Sequence, residues 1–125
     1  ESFRVRCRYM LREQDLLSPP GHPDVIAIAG HSLDRHGARH ASSEVSGPYG
    51  IPYRCLQPLG FDNMFVAGRV AGFSSLAASS CRLSRKMMQL GTAAGAAAAL
   101  AIRLDVSPAA LPIAALREEI KRQGG

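Results

Sequence analysis

A glycine–arginine pair, Gly68 and Arg69, directly follows the short apolar run of residues 64–67. A strand that ends in glycine lets a ligand approach the backbone closely, because no Cβ atom stands in the way. The next predicted helix begins near Arg82, and the start of a helix offers unpaired N–H groups and the positive end of a dipole. This pattern suits an anionic or electron-rich group, such as a phosphate or the edge of a cofactor ring. A plain turn followed by a tightly packed helix has the same residue types, so the residues alone leave both interpretations open.

Two elements must position this pair, a strand over residues 64–67 and a helix over residues 82–104. The apolar run does not alternate with polar residues, which is typical of a strand covered on both faces in a parallel sheet. Residues 70–80 are small and polar and are expected to form a loop between them. The helix is rich in alanine, and Gly91 and Gly95 lie on one of its faces. Because glycine costs a helix roughly 1 kcal/mol relative to alanine, we expect another backbone or a ligand to pack closely there.

The segments before this unit indicate short elements separated by loops. Residues 3–9 alternate between an apolar side and a row of arginines, which predicts a strand with one buried face. Residues 13–17 predict a helical turn, and the apolar run of residues 24–29 is compatible with a helix or a strand. We expect a loop over residues 35–50 and an extended segment over residues 51–56.

The chain is expected to end in a helix over residues 113–123. Ile113, Leu116 and Ile120 form its predicted buried stripe, and Gly124 ends it. Together with the preceding segments, this gives a mixed α/β protein with one small core.

The composition excludes several classes of protein. The chain has 125 residues, a net charge of +5 and 46% hydrophobic residues, which is enough for one small domain. Its three cysteines are far apart and form neither a disulfide framework nor a zinc signature, so we expect reduced thiols and a cytoplasmic location. Aromatic residues make up only 6% and no nucleic-acid-binding motif is present, which argues against a nucleic-acid partner.

Neither a membrane span nor a metal site is expected. The most apolar stretch, residues 87–102, has 16 residues, whereas a span needs roughly 20. It is therefore interpreted as a buried helix of a soluble protein. The four histidines are treated as loop residues, because a metal site needs three or four ligands with supporting contacts.

Two runs of the sequence resemble one family. They are GPYGIPYRCLQPLGFDNMFVAGRV at residues 47–70 and VSPAALPIAALREEIKRQGG at residues 106–125. With ESFRV, YMLREQDLL and HPDVIAIAGHSLDRH nearer the start, nearly the whole chain resembles the C-terminal part of the bacterial FAD-dependent oxidoreductases. The resemblance implies an α/β fold that combines the C-terminal portion of a Rossmann-like FAD-binding domain with a piece of an inserted substrate domain. It implies that residues 1–50 belong to the substrate domain and that residues 51–125 close the FAD-binding domain.

The resemblance also implies the residues that contact the flavin. Ala67, Gly68 and Arg69 match the end of the strand that returns to the flavin domain. Ser80 and Arg82 match a Ser-x-Arg sequence that enters the last long helix near the isoalloxazine ring. Positive charge at this place would favour the reduced, anionic flavin.

A second group of residues is implied on the substrate side. Asp34 and His36 match an Asp-x-His sequence in a loop that would face the substrate, so one of them would handle the proton. Arg54 matches the arginine of the Ile-Pro-Tyr-Arg segment and would bind an anionic group of the substrate.

The function implied is hydride transfer between an unknown small-molecule substrate and FAD. The sequence contains no GxGxxG run, which in this family holds the FAD pyrophosphate, so a missing N-terminal segment or another chain must supply it. The chain also begins with Glu1 inside a strand-like pattern, and we expect a fragment. Where the family commonly has Thr-His-Glu, this chain has Ser74, Ser75 and Leu76. The alternative is therefore a catalytically inactive remnant or a partner subunit that lacks flavin.

Overall fold

The computed structural model describes residues 3–34, 42–43, 45 and 47–124. The helices of this part of the chain are α1 (Glu13–Leu17), α2 (Ser75–Cys81), α3 (Ser84–Leu104) and α4 (Ile113–Arg122). The strands are β1 (Val25–Ala29), β2 (Leu33–Asp34), β3 (Ser42–Ser43) and β4 (Tyr49–Pro52). Short 3₁₀ helices occur at Tyr53–Leu56, Gly68–Val70 and Pro108–Ala110. Mixed helix and strand content is compatible with the expected α/β class.

Two small antiparallel sheets are present in the described residues. β1 pairs with β4, with Ala27 opposite Ile51 and Ala29 opposite Tyr49, and β2 pairs with β3. Residues 24–29, for which the sequence allowed a helix or a strand, form mainly a strand. Its buried alanines, Ala27 and Ala29, are paired with residues of β4 whose side chains are also buried. The extended segment predicted over residues 51–56 is confirmed only for its first two residues, since a 3₁₀ helix follows at once.

One hydrophobic cluster joins residues from both ends of the described chain, from Leu11 to Ile120. α3 contributes Leu90, Ala93 and Ala97 to it, and packs against β1 and α4. The small alanine side chains let these elements approach α3 closely. The proposed boundary near residue 50 lies within β4, and this cluster extends across it. The boundary between the two implied domains stays a prediction.

The strand expected over residues 3–9 does not form. An isolated bridge joins Cys7 to Pro58, and Phe3 is 88% exposed. The backbone bonds from Arg8 N to Gln57 O and from Leu59 N to Arg6 O flank this bridge.

The strand expected over residues 64–67 is also wrong for the described structure. The segment is irregular, and its backbone is tied to the rest of the chain by one bond from Val66 N to Leu56 O. A parallel strand needs neighbouring strands along its edges, and the described ranges contain none beside this segment.

The loop expected over residues 70–80 contains a helix instead, α2. The Ser74 hydroxyl caps this helix by accepting a hydrogen bond from Ala77 N at 3.1 Å. The last five residues of α2 are buried, and Ser79 donates its hydroxyl to Leu76 O at 2.7 Å. Tertiary burial and a serine N-cap therefore outweigh the weak helix propensity of this serine-rich segment.

The helix expected over residues 82–104 is confirmed as α3, with a start two residues later. It has 21 residues and is long and apolar enough to cross a membrane by length and composition, a test that core helices of soluble proteins also pass. The length of α3 therefore does not exclude a membrane span, and the absence of a membrane partner stays a prediction. Only 28% of the apolar window is buried in the described structure.

The last helix agrees with the sequence. α4 begins at Ile113 and ends one residue before the expected Gln123. Leu116 and Ile120 are buried, whereas Ile113 is half-buried.

Candidate functional site

Gly68 lies at the rim of an open cleft beside the first turns of α3. Its φ of +76° is a left-handed conformation that side-chain-bearing residues rarely adopt, so the turn here requires glycine. The cleft has a volume of about 450 Å³ and is lined by Gly68, Arg69, Ser84, Met87 and Met88. A Cβ atom added to Gly68 would have no protein atom within 4 Å, so open space lies directly over this backbone.

Arg69 and Arg82 lie together beside this cleft. Arg69 Nε donates a long hydrogen bond of 3.4 Å to the carbonyl oxygen of Arg82, which ends α2. α3 begins two residues later, and no side chain of its N-cap residue, Leu83, satisfies the first amide groups. The structure therefore brings Gly68 and Arg69 to the positive end of the α3 dipole, where Arg69 contacts the backbone of Arg82, whereas Arg82 does not line the cleft.

Ser80 lies in the core, away from open space. It is fully buried, its hydroxyl lies 2.6 Å from the Tyr49 hydroxyl, and it donates to the carbonyl oxygen of His31. Burial raises the pKa of Tyr49, so this phenol stays protonated. Ser80 thus ties α2 to β4 and to the segment after β1, and in this arrangement it does not reach the cleft. Ala67 is half-buried next to Gly68.

Arg54 makes an ion pair with a buried carboxylate that sequence reasoning missed. Its Nε and Nη2 donate to the two carboxylate oxygens of Asp24 at 2.9 and 3.1 Å, and its backbone N–H donates to the same group at 3.1 Å. Burial alone would raise the pKa of Asp24, but the hydrogen bonds from Arg54 outweigh it and hold that pKa below its ordinary value. The guanidinium that was expected to bind substrate therefore makes a bidentate contact within the protein.

Tyr9 extends this polar cluster. Its ring centroid lies 5.0 Å from the Arg54 guanidinium carbon and 4.8 Å from the ring of His22. Its hydroxyl donates to Asp15 at 2.9 Å, and burial together with this contact raises the pKa of Tyr9 to about 12. The partners come from segments up to 45 positions apart in the sequence, so no local spacing could have indicated them.

The structure does not test the assignment of Asp34 and His36 to proton handling. The backbone of Asp34 ends β2, whereas His36 lies outside the described residues. Their assignment stays a prediction.

The described residues contain no group of three or more histidine, cysteine or acidic side chains that could hold a metal ion. The three cysteines are buried free thiols. Burial raises the pKa of Cys7 to about 11, so this thiol is protonated and unreactive near neutral pH.

Comparison with known proteins identifies the family. The model of the FAD dependent oxidoreductase family matches residues 1–120. The chain belongs to the FAD dependent oxidoreductase family. No curated protein and no solved structure gives a match. Family membership indicates a flavin-linked redox function.

The cleft at Gly68 fits one part of FAD. An uncrowded backbone, the exposed Arg69 side chain and the helix start suit the electron-rich edge of a flavin ring. The sequence has no glycine-rich GxGxxG run, the motif that binds the FAD pyrophosphate. The residues at Gly68 are therefore compatible with the ring end of a flavin, and the sequence has no run that matches the pyrophosphate-binding turn.

Proposed function

We propose that this chain forms the ring-side half of an FAD site in an oxidoreductase that transfers a hydride between a small-molecule substrate and flavin. The observation that carries this proposal is the cleft where Gly68 and Arg69 meet the start of α3. Family membership indicates FAD as the cofactor, and the residues that line the cleft suit the flavin ring.

Each group at the cleft has a separate physical role in this proposal. FAD would supply the hydride acceptor and donor. Gly68 lets the ring lie against the backbone, since no Cβ is present. Arg69 and the uncapped amides at the start of α3 place positive charge beside the ring edge and stabilise the negative charge that it gains on reduction. Arg82 adds to this charge from the end of α2.

A Gly-rich segment, from the same polypeptide or another chain, is proposed to complete the site. Residues 64–67 have few backbone bonds, and one side of α3 is open to solvent. On that side Met88 is 73% exposed and Ile102 is 82% exposed. Exposed apolar surface of this kind is typical of a contact region, and a phosphate-binding strand and helix would cover it.

The remaining assignments concern the substrate side and the surroundings. We propose that Asp34 or His36 moves the proton that accompanies hydride transfer. Arg54 is assigned to the ion pair with Asp24 and positions the Tyr53–Leu56 turn. A cytoplasmic location, without nucleic-acid or membrane partners, also remains a proposal.

An inactive, flavin-free partner subunit is the second candidate. Ser74 stands where the family commonly has the first residue of Thr-His-Glu, and here its hydroxyl caps α2. Ser80 and Arg54 are both engaged in contacts within the protein. These contacts would be retained in a protein that had lost catalysis.

Absorption spectroscopy of the protein purified from its own source, with any polypeptide that accompanies it, distinguishes the two candidates. The enzyme should show the visible bands of FAD, and these should bleach when substrate or dithionite is added. A colourless preparation that contains the folded chain and its partner would instead establish the flavin-free subunit.

A further inference from the structure

A second cleft opens where β1, α3 and α4 meet. It has a volume of about 310 Å³, which lies at the lower end of the range of roughly 300–1,000 Å³ found for small-molecule sites. Its apolar lining includes Val25, Ile28 and Ile120. Ile28 is about half exposed, so apolar surface is accessible there.

This cleft is separate from the one at Gly68. Lys86 and Gln89 line it, whereas Ser84 and Met88 line the cleft at Gly68. At 100° per residue, these two pairs project from opposite sides of α3. The proposal for this site therefore does not depend on the proposed flavin site.

Three cations surround the apolar surface, Lys86, Arg117 and Lys121, and none of the described residues that line the cleft is acidic. Arg117 is held in place because its Nε and Nη2 donate to the carbonyl oxygens of Val25 and Pro23 at 2.9 and 2.8 Å. Both of these acceptors are uncharged, so Arg117 keeps its full positive charge.

The two lysines have different partners. Lys86 Nζ donates to Gln89 Oε1 at 3.1 Å, and no acidic side chain among the described residues pairs with it. Lys121 makes an exposed ion pair with Glu118, a pair of the kind that contributes little and is readily exchanged. An anion at the rim would therefore meet two uncompensated cations and one weakly compensated cation.

We propose that this cleft binds a small organic carboxylate with an apolar body. The apolar part lies against Ile28 and Ile120, and the carboxylate lies toward Lys86 and Arg117. The apolar lining selects against small inorganic anions, and the cationic rim selects against amines and neutral analogues of the same length.

A matched series of three probes tests this proposal on the full chain at low salt. Octanoate, octanol and octylammonium share one apolar tail and differ in the head group. NMR titration of the Ile28 and Ile120 methyl groups should give an affinity for octanoate about tenfold higher than for octanol, with octylammonium weakest. Equal affinities for all three, or methyl signals that do not move with octanoate, would overturn the proposal.

A double variant tests the rim without touching the contacts that hold β1. Lys86→Gln/Lys121→Gln should weaken octanoate binding about tenfold and leave octanol binding unchanged. Arg85→Gln is the control, because Arg85 lies on the same helix and does not line the cleft. An equal loss in this control, or no loss in the double variant, would contradict the assignment of the rim.

Discussion

The Asp24 carboxylate is a buried group that joins two distant segments of the chain. Its side chain is 8% exposed, and Arg54 supplies three donors to it. Its backbone carbonyl also accepts from Tyr53 N at 2.7 Å. Asp24, which directly precedes β1, therefore fixes the start of the 3₁₀ helix that follows β4. The family resemblance had assigned Arg54 to substrate, and nothing near Arg54 in the sequence indicates its partner, 30 positions earlier.

Replacing Asp24 with asparagine should destabilise the protein by about 2 kcal/mol at neutral pH, because charge-assisted hydrogen bonds are lost. Arg54 is partly exposed, so solvent screening limits the size of this loss. The pKa of Asp24 is lowered on folding, so its contribution is present above the ordinary value near 4 and is lost as pH falls through the lower folded value. Urea unfolding should show a difference between wild type and Asp24→Asn that is largest at pH 7 and decreases as the pH is lowered below about 4. Asp62→Asn, which removes an exposed 3.5 Å pair with Arg8, should change the stability little. A difference for Asp24→Asn that is as large at pH 3 as at pH 7 would contradict this account.

Gly72 allows three segments of the chain to cross. A Cβ atom built there would clash with the carbonyl oxygen of Tyr9 and lie 2.8 Å from Cys7 Cβ. Gly72→Ala should therefore destabilise the protein by about 3 kcal/mol, since backbone cannot move as a flexible side chain can. Thermal unfolding measures this effect. A melting temperature unchanged from wild type would show that the three segments do not pack closely at Gly72.

At the element scale, α3 has two unlike faces. Its buried face carries Leu90, Ala93, Ala97 and Leu100, which belong to the core cluster. The opposite side, with the two glycines, is exposed, and a Cβ added at either Gly91 or Gly95 would meet nothing within 4 Å. The close packing expected at these glycines is therefore not present among the described residues. A covering segment of the proposed flavin site would account for both glycines.

The double variant Gly91→Ala/Gly95→Ala should raise the free energy of unfolding of the chain alone by about 1–2 kcal/mol, because alanine is the better helix former and has room there. Chemical denaturation checks this value. Gly95→Leu is the complementary variant. It should raise the chain's own free energy of unfolding by less than about 1 kcal/mol but lower the amount of partner polypeptide that copurifies. Unchanged copurification would argue against a covering segment at this face.

α1, α3 and α4 were predicted from the sequence, whereas α2 was expected to be a loop and the sheets were predicted poorly. α3 and α4 could be predicted because alanine content, periodicity and end signals act within one segment. β1 stayed ambiguous because its type depends on pairing with β4, which lies about 20 residues later. Residues 64–67 have the composition of a buried strand, yet no strand lies beside them in the described parts of the chain. The position of Gly68 and Arg69 beside Arg82 could be anticipated, whereas the burial of Ser80 and the pairing of Arg54 depend on distant partners.

Positive charge at the cleft is proposed to favour the reduced flavin. The midpoint potential of the flavin in the FAD-loaded protein tests this most directly, with Arg69→Gln compared against Arg103→Gln at the other end of α3. Arg69→Gln should lower the midpoint potential by about 20 mV, which corresponds to nearly 1 kcal/mol for two electrons. The variant removes a cation that stabilises the negative charge of the reduced flavin. Arg103→Gln should leave it unchanged. Equal potentials in wild type and Arg69→Gln, or equal shifts in both variants, would contradict the placement of the flavin ring beside Gly68.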